Sequence, residues 1–303
     1  MVGTELIFYG AFAGLGVLFG LPLAALQTVS PKWKGFLNAF ATGILIFLMI
    51  DAFGDAWKPV TNAASRASQG LIPMSGIVPN VLLMCGGLLL GLFGLAYANR
   101  YTKVLVKKYR PDTSELHGKL MQAELFKGVE QVNGYRLSVI IALAVGVHNF
   151  NEGLKLGHAS GTVGLVLTLS LTVGMILHGA MKGMGITGPL TGLSRMPSYR
   201  FLVAVAMVCV LPTSLGTVIG GLWYSSLFFV FFMAMAAGAL IYATAMQTLS
   251  LRGPILTTAS AKYLVMYNAR NRLVTNRILV LGAFFGLMAT LMSNVLIILS
   301  GLI

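Results

Sequence analysis

Two hexapeptides thirty residues apart carry most of the chemistry legible in this chain: His148-Asn149-Phe150-Asn151-Glu152-Gly153 and His178-Gly179-Ala180-Met181-Lys182-Gly183. In each, two polar groups stand at i and i+4, which on a helix stacks them on one face about 6 Å apart. His148 and Glu152 can then address one ion, while His178 shares a face with Lys182. Two imidazoles and one carboxylate are the ligand set expected for Zn2+, and one acceptable to Fe2+, Mn2+ or Co2+, with the remaining positions left to water or the Asn149 oxygen. The plainer alternative is that each histidine only bonds a neighbouring helix through a hydroxyl or the backbone. Three such residues in matching frames favour the shared site.

The elements that must position these groups are membrane spans. Of the 303 residues, 57% are hydrophobic and 10% charged, where a soluble domain carries about a quarter charged residues. This excludes an ordinary cytosolic enzyme. Apolar runs predict eight spans, near residues 6–29, 35–56, 77–98, 137–158, 163–187, 201–223, 225–249 and about 277–301, and so an all-α, polytopic, single transmembrane domain over 1–303. A short outward turn near Ser160-Gly161 makes the fourth and fifth spans a hairpin. His178 then lies roughly 7 Å deeper than His148, a difference that helix tilt absorbs.

The net charge of +13, from 21 Lys+Arg against 8 Asp+Glu, suggests either a nucleic-acid partner or topology-setting loops. Placing the basic residues decides between them: Lys32, Lys34, eight between 100 and 136, Arg195, Arg200 and five between 252 and 277 all fall on one side, 17 of 21. By the positive-inside rule both termini face outward in a multi-pass protein of the cell membrane, and no nucleic-acid partner is expected. The longest cytoplasmic loop is about 99–135, with a helix start at Pro111-Asp112-Thr113-Ser114-Glu115 and an amphipathic stretch to Phe126. A segment at about 251–275 reads as interfacial, lying against the lipid bilayer. No charged region precedes the first apolar run, so that span is expected to be retained. Cys85 and Cys209 lie in spans without metal or redox spacing and read as packing residues.

Ionisable groups within spans are few, and each is a functional hypothesis. Asp51 and Asp55, four residues apart near the outward end of the second span, could draw cations toward the site; an interfacial helix end explains Asp55 equally well. Lys155 and His158 beyond Glu152 are odd company for a cation path. Met175, Met181 and Met184 read as packing.

The two hexapeptides are also where a likeness emerges: the chain resembles the ZIP family of divalent-metal transporters, in its prokaryotic style. The family's helix-four motif, His-Asn-x-Pro-Glu-Gly, stands here with Asn151 for proline; its helix-five motif of His with Pro-Glu-Gly stands here with Lys182 for glutamate, continuing to Gly188-Pro189. Similarity extends through Phe40-Ala41-Thr42-Gly43-Ile44 to Asp51-Ala52-Phe53-Gly54-Asp55-Ala56, and through Ala236-Ala237-Gly238-Ala239-Leu240 to Gln247, which falls where relatives carry an acid and could line an exit.

The resemblance implies a homodimeric permease whose fourth and fifth helices carry the metal by alternating access, and a second metal bridged by the helix-five glutamate and a helix-six acid. Lys182 and Thr213 occupy those two positions here. An ammonium there repels a second cation, so a single-metal site is expected, with Lys182 either paired to Glu152 when the site is empty or snorkelling to the inner interface. The resulting expectation is transport of a divalent cation, Zn2+ first and Fe2+, Mn2+ or Cd2+ as alternatives, with the metal as substrate, no organic cofactor and no enzymatic activity. An intramembrane zinc hydrolase would need a general base besides the ligands, and the chain lacks His-Glu-x-x-His. A Schiff-base lysine at Lys182 and a transport-altered metal sensor are the remaining alternatives.

Overall fold

The computed structural model describes residues 2–107, 119–162, 165–223, 225–251 and 276–300. Among them, eight helices are long and apolar enough to cross a membrane, and there is no strand. They are α1 (Val2–Leu15), α2 (Pro31–Ser68), α3 (Val78–Lys107), α4 (Lys119–Thr162), α5 (Leu165–Thr187), α6 (Tyr199–Leu222), α7 (Ser226–Leu251) and α8 (Asn276–Ser300). The first span continues past α1 as a 3-10 helix, Gly16–Ala25, that contains Pro22. Proline lacks the N–H that an α-helix would use there. Serines start two helices: Ser30 Oγ accepts from Trp33 N at 3.4 Å ahead of α2, and Ser198 Oγ accepts from Phe201 N at 3.3 Å ahead of α6.

The fold class matches the expectation from hydropathy, but several boundaries differ. The second span, expected to end near residue 56, continues to Ser68, so Lys58 and Arg66 lie on a helix rather than in a loop. At 38 residues α2 is about 57 Å long, well beyond the roughly 30 Å of hydrocarbon. Hydropathy marks only the apolar part of a helix, and Ala63-Ala64-Ser65-Arg66-Ala67 propagates it into polar surroundings. The expected loop at about 99–135 is largely helical for the same reason: α3 reaches Lys107 and α4 begins at Lys119. The turn expected at Ser160-Gly161 is still helix, since α4 runs to Thr162. The helix start at 111–115 and the interfacial segment at about 251–275, beyond Leu251, lie outside the described residues. Asn151 leaves α4 unbroken, because asparagine keeps the backbone N–H that proline lacks.

The helices form two sets of four. In the first, α4 packs along α6, α1 along α6, and the 3-10 segment after α1 along α5; in the second, α2 packs on α8 and α7, and α3 on α7. The sets meet where α4 lies on α7 and α5 on α8. Their shared core holds Leu45, Leu48, Val145, Ile186, Met233 and Leu240, all fully buried.

Within each set glycines let backbones approach, the usual device of helix pairs in lipid, where apolar burial supplies little drive. A Cβ at Gly153 or Gly157 of α4 would overlap the carbonyl oxygens of Thr213 or Thr217 on α6; one at Gly216 or Gly220 would overlap those of Phe150 or Leu154. This reciprocal fit fixes the height of α4, and with it the height of Glu152. Gly157→Ala is expected to lower stability by about 1–3 kcal/mol through overpacking, whereas Gly94→Ala on α3, which meets nothing within 4 Å, should leave it unchanged or raise it slightly. Thermal midpoints of the purified variants in detergent check this, and equal midpoints for Gly157→Ala and the parent would contradict the close approach.

Candidate metal centre

α4 and α5 bring His148, Glu152, His178 and Lys182 into one buried cluster. Oε1 of Glu152 lies 3.2 Å from Nε2 of His148 and 3.4 Å from Nε2 of His178. One ligand atom from each of these three residues falls within 4.8 Å of the other two, so that small side-chain shifts would bring all three to the about 2.0–2.2 Å at which a single ion is held. Both histidines are fully buried, and the Glu152 side chain keeps 14% of its exposure. The depth offset counted along the hairpin is taken up by helix placement.

The other oxygen, Glu152 Oε2, pairs with Lys182 Nζ, which also donates to Asn149 Oδ1 at 2.9 Å. Lys182 is thus held inside the cluster and does not snorkel to an interface, the alternative weighed from its sequence position: the carboxylate offers more than an apolar stem laid toward water. Asn149 is engaged at both ends, since its Nδ2 donates to the Cys209 carbonyl at 3.3 Å. An ion at its oxygen would share that oxygen with the ammonium. Thr213 donates to that same carbonyl at 3.0 Å and brings no charge. With neutral imidazoles the cluster sums to zero, and a divalent ion about 4 Å from the ammonium would meet roughly 8 kcal/mol of repulsion at an effective dielectric of 20.

The other candidates lie apart from this cluster. Asp55 is not a free carboxylate aimed at solvent: Oδ1 accepts from Lys58 at 2.8 Å and Oδ2 pairs with Lys155 of α4. Lys155, unexplained by the sequence, also stands 5.5 Å over the Phe229 ring of α7. Asp51 is half-buried and accepts from Asn294 of α8 at 3.4 Å. Gln247 is buried on α7, donating to the Asn38 carbonyl at 3.1 Å, while its Oε1 has no hydrogen-bond partner among the described residues. Met181 and Met184 pack against the core.

Two neighbours of His178 come from the other set of helices. Ser293 of α8 lies 3.0 Å from His178 Nδ1, and Phe47 of α2 packs edge-on to the same ring at 6.4 Å between centroids. The only signal was the polar pair Ser293-Asn294 inside an apolar run. Hydropathy gives such a pair no partner.

Fold and cluster together define an all-α polytopic membrane protein with a buried His/Glu/His group on adjacent spans. No protein-family model matches the chain. It is 24% identical over 161 residues to the zinc transporter ZupT of Lysinibacillus sphaericus (strain C3-41), a match covering 51% of this chain and 53% of that protein. The chain thus spans about half the length of the curated relative it matches.

Removing the ammonium leaves a buried carboxylate without its charge partner. Lys182→Met is therefore expected to cost about 3–5 kcal/mol of stability without metal, and zinc should raise its thermal midpoint by more than it raises the parent's. A variant as stable as the parent would show that the Lys182–Glu152 pair does not hold the cluster together.

Proposed function

We propose that the protein is a ZIP-type transporter of divalent transition-metal cations, with Zn2+ the first candidate, carried one ion at a time. The observation that supports it most is the convergence of two imidazole nitrogens on one carboxylate oxygen within 3.4 Å inside an apolar bundle. Ionisable groups are costly at that depth and mark substrate pathways. The likeness to a zinc transporter agrees with this reading. Metal arriving at His148, Glu152 and His178 takes the place of the Lys182 ammonium at Glu152, and departure of the metal lets the ammonium return. A tethered cation that re-forms the ion pair keeps the unloaded carboxylate compensated, which eases release. Alternating access would expose the site to the two sides in turn; by the charge asymmetry of the loops, both termini lie on the outer one.

A hydrolase built on the same ligands would need a further acid as general base. The two acids of α2 are otherwise engaged, Asp51 with Asn294 and Asp55 with two lysines.

The test is uptake of Zn2+, Fe2+, Mn2+ and Cd2+ into proteoliposomes. His178→Ala should cut uptake at least about tenfold, since it removes a ligand, whereas Lys182→Glu should retain it. Uptake by His178→Ala equal to the parent's would end this assignment. A parent that binds metal and moves none would point instead to a sensor. Protons compete with metal for imidazole lone pairs and carboxylate oxygens, so binding should weaken as pH falls. Affinity indifferent to pH between about 5 and 8 would exclude these ligands.

A further inference from the structure

His178 has a tautomer preference imposed from another helix. Ser293 Oγ lies 2.7 Å from the Thr290 carbonyl, one turn back on α8, and 3.0 Å from His178 Nδ1. A carbonyl can only accept, so the single hydroxyl proton goes to Thr290, and Ser293 turns its lone pairs toward the imidazole. That contact is favourable when Nδ1 carries a proton. A neutral imidazole has one N–H, so Nε2 then bears a lone pair, and it faces the carboxylate oxygen of Glu152 at 3.4 Å. Two electron-rich atoms opposed in a buried site form an arrangement that a cation between them makes favourable. His178 and Ser293 are both buried, and Phe47 against the ring limits its rotation. His148 differs: among the described residues its Nδ1 has no hydrogen-bond partner, and its Nε2 can donate to Glu152 at 3.2 Å.

We propose that Ser293 is the positioning residue that holds His178 as the Nδ1–H tautomer and so presets Nε2 as a metal ligand. The metal itself rests on the function proposed above; the tautomer does not. Ser293 belongs to the α2/α3/α7/α8 set and His178 to the α1/α4/α5/α6 set. This hydrogen bond therefore joins the two sets at the site, and parting α5 from α8 removes the acceptor that orients the ligand. Ligation strength is thereby tied to the packing of the two sets.

The test uses full-length protein labelled with 15N-histidine in lipid nanodiscs without metal, with the His178 signals assigned by their loss in His178→Gln. Wild-type protein should show the proton on Nδ1, and Ser293→Ala should move it to Nε2, where it can bond Glu152. Zinc affinity of Ser293→Ala should fall about 10- to 100-fold, and Ser293→Thr, which keeps a hydroxyl, should recover most of that loss. A wild-type His178 protonated on Nε2 overturns the proposal without recourse to any variant, as does Ser293→Ala with unchanged tautomer and affinity. If the wild type binds no zinc, the proposed function fails, and the tautomer comparison still decides the role of Ser293.

Discussion

A single carboxylate, Glu152, organises the interior of this protein. It is set among apolar helices and shared by two imidazoles on one oxygen and by an ammonium on the other. An isolated charge at that depth would cost several kcal/mol, so partners have to be present in every state the protein occupies. Lys182 satisfies this requirement from within the chain, and under the proposed function an arriving cation would satisfy it from without. The competition between them is a simple way to make binding reversible. A site that held its ligands ready without an internal counter-charge would bind more tightly and release more slowly.

That competition depends on short side chains meeting, which depends in turn on how closely the helices pack. Glycines at Gly153, Gly157, Gly216 and Gly220 let the α4 and α6 backbones interlock and leave α4 no freedom to slip. Charged contacts bridge α2 and α4 at two places along their length: Lys34 pairs with Glu130 at 2.5 Å, and Asp55 pairs with Lys155 further along. The polarity of the two pairs is opposite, and α2 and α4 barely touch along their backbones between them. Lys34 also donates to the Gly192 carbonyl at 3.0 Å, which brings the segment after α5 into the same junction.

Much of this was legible in the residues because the physics involved is local. Apolar runs of span length predict helices whatever surrounds them, and an i, i+4 spacing puts His148 and Glu152 on one face before any fold is known. Bringing His178 alongside required only that consecutive spans form a hairpin. Other features depended on tertiary neighbours that a single sequence does not specify. Lys155 had no account until Asp55 and Phe229 came to face it from α2 and α7. Ser293 lies 115 residues from the imidazole it orients, and nothing in its own span distinguishes it from a serine that bonds its own helix. Helix ends were misjudged because hydropathy falls where lipid ends, while the helix of α2 continues through Ala63 and Arg66 to Ser68.

Under the proposed function, one ion replaces one ammonium at Glu152. Anomalous scattering at the zinc edge from a zinc-soaked crystal tests it most directly. It should show a single well-occupied ion bound by His148, Glu152 and His178, with the Lys182 ammonium withdrawn from Glu152. Two well-occupied ions around Glu152, or one ion elsewhere with the Lys182–Glu152 pair intact, would contradict it.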